Sequence, residues 1–209
     1  MVLGEGSSKG VDVARFRKTP ARVEAGAKLR RKVGIPEGAK VAGFVGRFTR
    51  DKGIEELVAA FTALEPAHPD LHLLLVGRVE EDDRPSAETL RAMETHPKIH
   101  RSGVLQDVAP AYQAMDFLLL PSYREGFPNV VLEASSAGRP TIGFRSTGVR
   151  DAIIDVESGQ LVPVGDADAL AEAMATYLSD PELAARHGAA ALARVDRVFA
   201  HEKVFEAVA

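Results

Sequence analysis

The sequence predicts an open, doubly wound α/β domain, a parallel sheet with helices over both faces. Short apolar runs rich in Val, Leu and Ile carry no polar alternation, as strands buried on both faces do. Stretches of helical period separate these runs almost from end to end. At 209 residues, 45% of them hydrophobic, the chain is long enough to bury such a core.

The elements follow in order. Residues 1–18 carry no strong periodicity. Residues 19–34, TPARVEAGAKLRRKVG, read as a capped helix with Thr19 as cap, Pro20 in the first turn and Gly34 as stop. This region gathers Arg15, Arg17, Lys18, Arg22, Lys28, Arg30, Arg31 and Lys32 against few acids. A solvated helix face is the favoured reading, with attraction to anionic lipid the sharper alternative. Strands are read at KVAGFVG (40–46), LHLLLVG (71–77), DFLLLP (116–121) and PTIGF (140–144). Helices are read at GIEELVAAFTAL (53–64), at SAETLRAM (86–93) and at DADALAEAMATYLSD (166–180), the last capped by Asp166. A final helix is expected over 194–209, with Val198, Phe199, Val204, Phe205 and Val208 as its apolar contacts.

Composition excludes several classes. A formal charge of −4 argues against a nucleic-acid partner. Without cysteine there are neither disulfides nor thiolate metal sites, which fits a reducing compartment. No apolar run reaches the roughly 18–20 residues of a membrane span. The opening MVLGEGSSKG lacks a signal-peptide pattern, so a cytoplasmic chain is expected.

Familiar motifs fail in turn. GEGSSKG (4–10) has glycines but too little chain before it for a strand–loop–helix unit. His68 and His72, like His96 and His100, have a zinc-compatible spacing, yet proline interrupts each pair. They read as turn and strand-entry residues. No G-x-S-x-G elbow occurs.

Two stretches carry chemistry. In GFVGRFTRDKGIEELV (43–58) a buried strand ends at Gly46, and a helix is expected to start near Asp51 or Lys52. Arg47 leaves the strand end, and Lys52 in a first helical turn opposes the helix dipole unless an anion sits there. The plain alternative has Asp51 capping and Lys52 in solvent. In REGFPNVVLEASSAGRP (124–140), Pro128 is expected in the first turn of a helix that stops at Gly138. Glu125 lies ahead of that helix mouth, and Glu133 lies roughly 7–8 Å beyond Pro128 along the axis. Acid, anion-binding helix end, acid: a nucleotide sugar fits this layout. Its diphosphate would lie at the helix mouth near Arg47 and Lys52, with Glu133 on the ribose diol and Glu125 on sugar hydroxyls.

Here the sequence resembles the C-terminal half of a retaining glycosyltransferase of family four (group 1). That family has the GT-B architecture, in which this half is a Rossmann-like domain. The resemblance rests on the E-x7-E pattern from Glu125 to Glu133, on GRFTRDKG (46–53), AYQAMDFLLLPS (111–122) and GQLVPVGDADALAEAM (159–174), and on GEGSSKGVDVARF (4–16). Lys9 stands where the family's crossover has Asn. The likeness implies Arg47 and Lys52 on the donor diphosphate, Glu125 as the catalytic residue in contact with the transferred sugar, and Glu133 on the ribose. It also implies backbone contacts from Gly126, Phe127, Pro128, Asn129 and Val130, with Gly46 at the strand end. Gly77, Arg78 and the loop from Val104 and Leu105 to Asp107 would surround the base. It implies a UDP-sugar as substrate, no metal and no cofactor. Residues 1–18 would be an interdomain crossover, 19–190 the donor domain, and 191–209 a helix packing toward an N-terminal domain not in this sequence. That domain would bring a glycan or lipid-linked acceptor, and the chain alone would not transfer. Peripheral contact with the inner membrane face and self-association through the exposed interdomain surface are further expectations. Alternatives left open are a nucleotide-sugar-binding module without turnover, a nucleotide-sugar epimerase half, and a hydrolase using the two glutamates as acid and nucleophile.

Overall fold

The computed structural model of the chain describes residues 10–200. Six parallel strands form one sheet: β1 (Lys40–Val45), β2 (Leu71–Val76), β3 (Ile99–Gly103), β4 (Phe117–Leu120), β5 (Thr141–Phe144) and β6 (Gly159–Val162). Their order is β3-β2-β1-β4-β5-β6. From β1 the chain winds first toward β3, then crosses back to add β4 to β6 on the other side. The carboxyl ends of β1 and β4 therefore flank the crevice where open sheets of this kind bind ligands.

The unalternated strands have the predicted cause. Along β1 and β2, Ala42, Phe44, Leu71, Leu73 and Leu75 enter one apolar core, while Val41, Leu74 and Val76 enter the other. Helices α3 (Ile54–Leu64), α4 (Ala87–Thr95) and α8 (Ala167–Ser179) cover the first face. The second is covered by α1 (Val13–Phe16), α2 (Pro20–Val33), α5 (Ala109–Ala114) and α6 (Asn129–Ser136). Two further helices, α7 (Val149–Ala152) and α9 (Pro181–Arg194), close the β5–β6 end. Among the described residues no helix is long and apolar enough to cross a membrane.

Several caps stand where the sequence put them. Thr19 accepts from the Arg22 amide, Asp166 from the Ala169 amide, and Gly34 ends α2 in the left-handed conformation. Other boundaries move. The helix expected from Asp51 or Lys52 starts at Ile54, because Arg50–Lys52 form a separate 3-10 turn. Gly53 joins the two with φ +66°, and a Cβ there would lie 2.0 Å from the Pro121 carbonyl oxygen. Asp51 thus caps no α-helix; its carboxylate accepts from the Thr49 hydroxyl instead. Pro128 precedes α6 as its cap residue, in extended conformation, and does not lie in its first turn.

The carboxyl end departs further. Beyond α9, Val195–Phe199 form a π-helical turn, and Ala200 leaves it with ψ 140° to bridge Val11 in parallel. A continuous helix over 194–209 is therefore not formed. The Val11 amide donates to the Phe199 carbonyl at 2.8 Å, which draws the chain into an extended path. Val195 and Phe199 are buried in this domain's own core. Val204, Phe205 and Val208 lie outside the described residues, as does the crossover before residue 10.

The histidines pair differently from their spacing. His72 of β2 meets His100 of β3, Nδ1 to Nε2 at 2.8 Å, with the rings stacked. Among the described residues no group of three or more His, Cys, Asp or Glu is placed to hold a metal.

Candidate functional site

The crevice is built first from the loop after β1. The Gly46 amide donates to the Val76 carbonyl and the Phe48 amide to the Arg78 carbonyl, so the loops after β1 and β2 continue side by side. This close approach demands glycine at 77: φ is +140°, and a Cβ would fall 1.8 Å from the Gly46 carbonyl oxygen. Phe48 is fully buried against Phe44 and anchors the loop. Arg47, between the two anchored residues, is exposed at the crevice.

The second wall is the loop after β4. The Ser146 hydroxyl donates to the Ser122 carbonyl at 2.7 Å and the Glu125 amide to the Thr147 carbonyl at 3.1 Å, which tie this loop to the turn after β5. It delivers Glu125 and then the mouth of α6, where the first amides have no helical acceptor. Lys52 reaches across from the 3-10 turn, and its Nζ donates to Glu125 Oε1 at 2.8 Å. Both side chains are only 17% exposed, so the pair is screened less than a surface one.

A cavity of about 300 Å³ results, lined by Gly46, Arg47, Lys52, Glu125, Phe127, Pro128, Asn129 and Val130 over a floor of Phe44, Val45 and Leu120. A second cleft of about 530 Å³ shares Val45, Gly46 and Arg47 with it and continues along Val76, Gly77, Arg78, Glu80, Val104, Leu105 and Val108. Val104 is 67% exposed there, an apolar side chain without cover. The first compartment offers cations and helix amides to an anion; the second offers an apolar slot to a flat group.

Glu133 and Gly126 line neither compartment. Glu133 lies one turn beyond Val130 on α6, where Tyr112 of α5 donates its hydroxyl to Oε2 at 2.6 Å. Burial raises the Glu133 pKa; Tyr112's hydrogen bond and the nearby charge of Arg15 work against that rise. Tyr112, fully buried, has its own pKa pushed well up by burial and by the Glu133 charge. Each glutamate thus has its own hydrogen-bond partner on a different element.

The sequence missed Tyr112, Val45, Glu80 and Val108. Only Tyr112 left a trace, as a rare aromatic in AYQAMD; nothing in its spacing to Glu133, 21 residues on, marks a contact. Another cavity, about 600 Å³, opens at the opposite, amino end of β1 and β4 around Lys40, Phe117 and Arg139. Arg139 there donates to the Tyr112 and Gln113 carbonyls, and no catalytic pairing accompanies it.

Comparison with known proteins places the chain in a family. Residues 27–194 match the family model "Glycosyl transferases group 1". The chain is 29% identical over 205 residues to the capsular polysaccharide biosynthesis glycosyltransferase CapM of Staphylococcus aureus, covering 98% of this chain and 53% of CapM. It thus spans about half the length of the curated relatives it matches. Among solved structures, Anabaena HepE in complex with UDP-glucose superposes with TM-score 0.83 at 21% identity, over 94% of this chain and 54% of HepE. The C-terminal domain of the group 1 family protein LpcC from Francisella tularensis superposes with TM-score 0.79 at 22% identity, over 91% of this chain and 99% of that domain. In fold the chain is the Rossmann-like C-terminal half of a GT-B structure, and it belongs to the group 1 glycosyl transferases.

Proposed function

We propose that this domain binds the nucleotide-sugar donor of a retaining, metal-independent glycosyltransferase, with a UDP-sugar as donor. One observation carries the reading: at the crevice between β1 and β4, a cationic compartment beside the α6 mouth adjoins an apolar slot through shared Val45, Gly46 and Arg47. The diphosphate fits the first compartment and the base the second, with Gly77, Arg78, Val104 and Leu105 around it. Glu133 is the ribose acceptor, and Glu125 faces the transferred sugar. As the bond from the anomeric carbon to the diphosphate breaks, its electron pair leaves on the phosphate. Arg47, Lys52 and the α6 amides then stabilise the growing negative charge, the part a metal plays elsewhere. The acceptor hydroxyl forms the new bond to the anomeric carbon and passes its proton to the leaving phosphate oxygen.

The names of relatives support a role in bacterial surface polysaccharide or lipid-linked glycan assembly, CapM and the lipopolysaccharide core mannosyltransferase LpcC of Rhizobium leguminosarum among them. On this reading the domain works in the cytoplasm, and the acceptor is held by the part of the transferase outside this chain.

The test is calorimetric titration with UDP, GDP and ADP, with Lys52→Ala as control. UDP is expected to bind best. Lys52→Ala is expected to weaken it by about 1.5–3 kcal/mol, the range for hydrogen bonds to charged groups. Unchanged affinity in that variant removes Lys52 from the site; absence of any nucleotide binding overturns the reading.

A further inference from the structure

Glu133 has two carboxyl oxygens, and only one is used within the described chain. Oε2 accepts from Tyr112 at 2.6 Å, while Oε1 has no hydrogen-bond partner among the described residues. The hydroxyl that takes Oε2 belongs to a side chain with no freedom. Tyr112 is 0% exposed, packs edge-on against Phe16 of α1 at 5.7 Å, and is carried by α5, whose preceding residue Val108 lines the apolar cleft. Val130, one turn before Glu133, lines the cationic compartment. Glu133 thus lies one turn along α6 from a wall residue of the cationic compartment, and its partner Tyr112 one turn along α5 from a wall residue of the apolar cleft.

We propose that Tyr112 is a positioning residue for donor recognition: by occupying Oε2 it fixes the rotamer of Glu133 and presents Oε1 to the ribose diol. This rests on the donor-binding reading above. A glutamate on a helix has three rotatable bonds, and a carboxylate left to turn would lose that freedom on every binding event. The buried phenol removes the cost beforehand. It also favours the charged carboxyl, which burial disfavours. An ionised Glu133 accepts from both hydroxyls of a diol, whereas a protonated one does so less well. Of the other charged groups around α6, Arg15 of α1 acts in the same direction but is shared with Asp107. Arg139 is turned to the Tyr112 and Gln113 carbonyls, and Arg194 of α9 to the Ala152 and Asp151 carbonyls.

The experiment compares UDP with 3′-deoxy-UDP on the wild type and on Tyr112→Phe, across pH 5 to 8. The variant keeps the ring and its contact with Phe16 and loses only the hydroxyl. The wild type is expected to prefer UDP about tenfold. In Tyr112→Phe the preference is expected to shrink to about twofold, with 3′-deoxy-UDP affinity unchanged and the acid-side loss of UDP binding moved to higher pH. Tyr112→Phe combined with Glu133→Gln should lose no more discrimination than Glu133→Gln alone. A folded Tyr112→Phe that keeps the full preference overturns the proposal, as does a merely structural role, which would weaken both ligands alike. A wild type that binds UDP without ribose discrimination also overturns it while leaving the donor-binding reading standing. A wild type that binds no UDP overturns that reading, and the proposal with it.

Discussion

At the scale of single residues, the contact between Lys52 and Glu125 matters most. Sequence reasoning sends Lys52 to a phosphate and Glu125 to a sugar, and in the structure they meet each other at 2.8 Å. The contact spans 73 positions in sequence, so no local pattern announces it. It follows from charge: two opposite charges in one partly closed cavity satisfy each other until a ligand separates them. A diphosphate must share the lysine's three donors with the glutamate, and it also meets the glutamate's repulsion. Glu125→Gln is therefore expected to tighten free UDP by about 0.5–1 kcal/mol, the upper range for a partly exposed ion pair, while weakening the UDP-sugar relative to UDP. Paired titrations of the variant measure both. Loss of free UDP binding would show that Glu125 supports the phosphate compartment and does not oppose it.

At the scale of elements, legibility tracked burial. β1, β2, β4 and β5 lie inside the sheet, and their unalternated apolar runs could be read directly. The strands at its two edges could not be traced, although a strand entry was expected at the pair of His96 and His100, where β3 begins. β3 reads IHRSG and β6 reads GQLV, each with partly exposed positions that dilute the apolar signal. The order of strands, and with it the crevice, is a tertiary property that no window of sequence contains. Of the site, Arg47, Lys52, Glu125 and the α6 mouth were legible because cations and acids at helix and strand ends are locally out of place. Tyr112 was not, because a buried tyrosine looks the same whether or not its hydroxyl has work.

The β2–β3 edge makes its own prediction. Burial lowers the pKa of both His72 and His100 from the ordinary 6.5; at His100 the hydrogen bond to the Val33 carbonyl opposes that shift without cancelling it. Both are neutral in the folded state where an unfolded histidine would already bind a proton. Stability is then full above about pH 6.5 and falls as pH drops from there toward the lowered folded values. Melting temperatures from pH 8 to pH 5 should decline below about 6.5, and His72→Gln should decline less steeply. Parallel curves would mean that this pair does not set the acid response.

At the scale of the whole molecule, the segment after α9 is part of the domain. Phe199 is 1% exposed, tilted against Phe127 at 5.3 Å, with the Arg194 guanidinium 4.7 Å above its ring. Phe127 in turn lines the cationic compartment, so the tail supports the site from behind. Phe199→Ala is expected to destabilise the domain by about 3–5 kcal/mol, as for other buried phenylalanines, and to weaken UDP binding through Phe127. Denaturant unfolding measures the first effect. A loss below about 1 kcal/mol would place the tail outside the cooperative unit.

The link between Val11 and Ala200 has a mechanical side. The two backbones run parallel there, the one entering the domain and the other leaving it. A pull applied between residues 10 and 200 therefore slides one backbone along the other, loading the link in shear. That link thus takes up such a load ahead of the strands behind it.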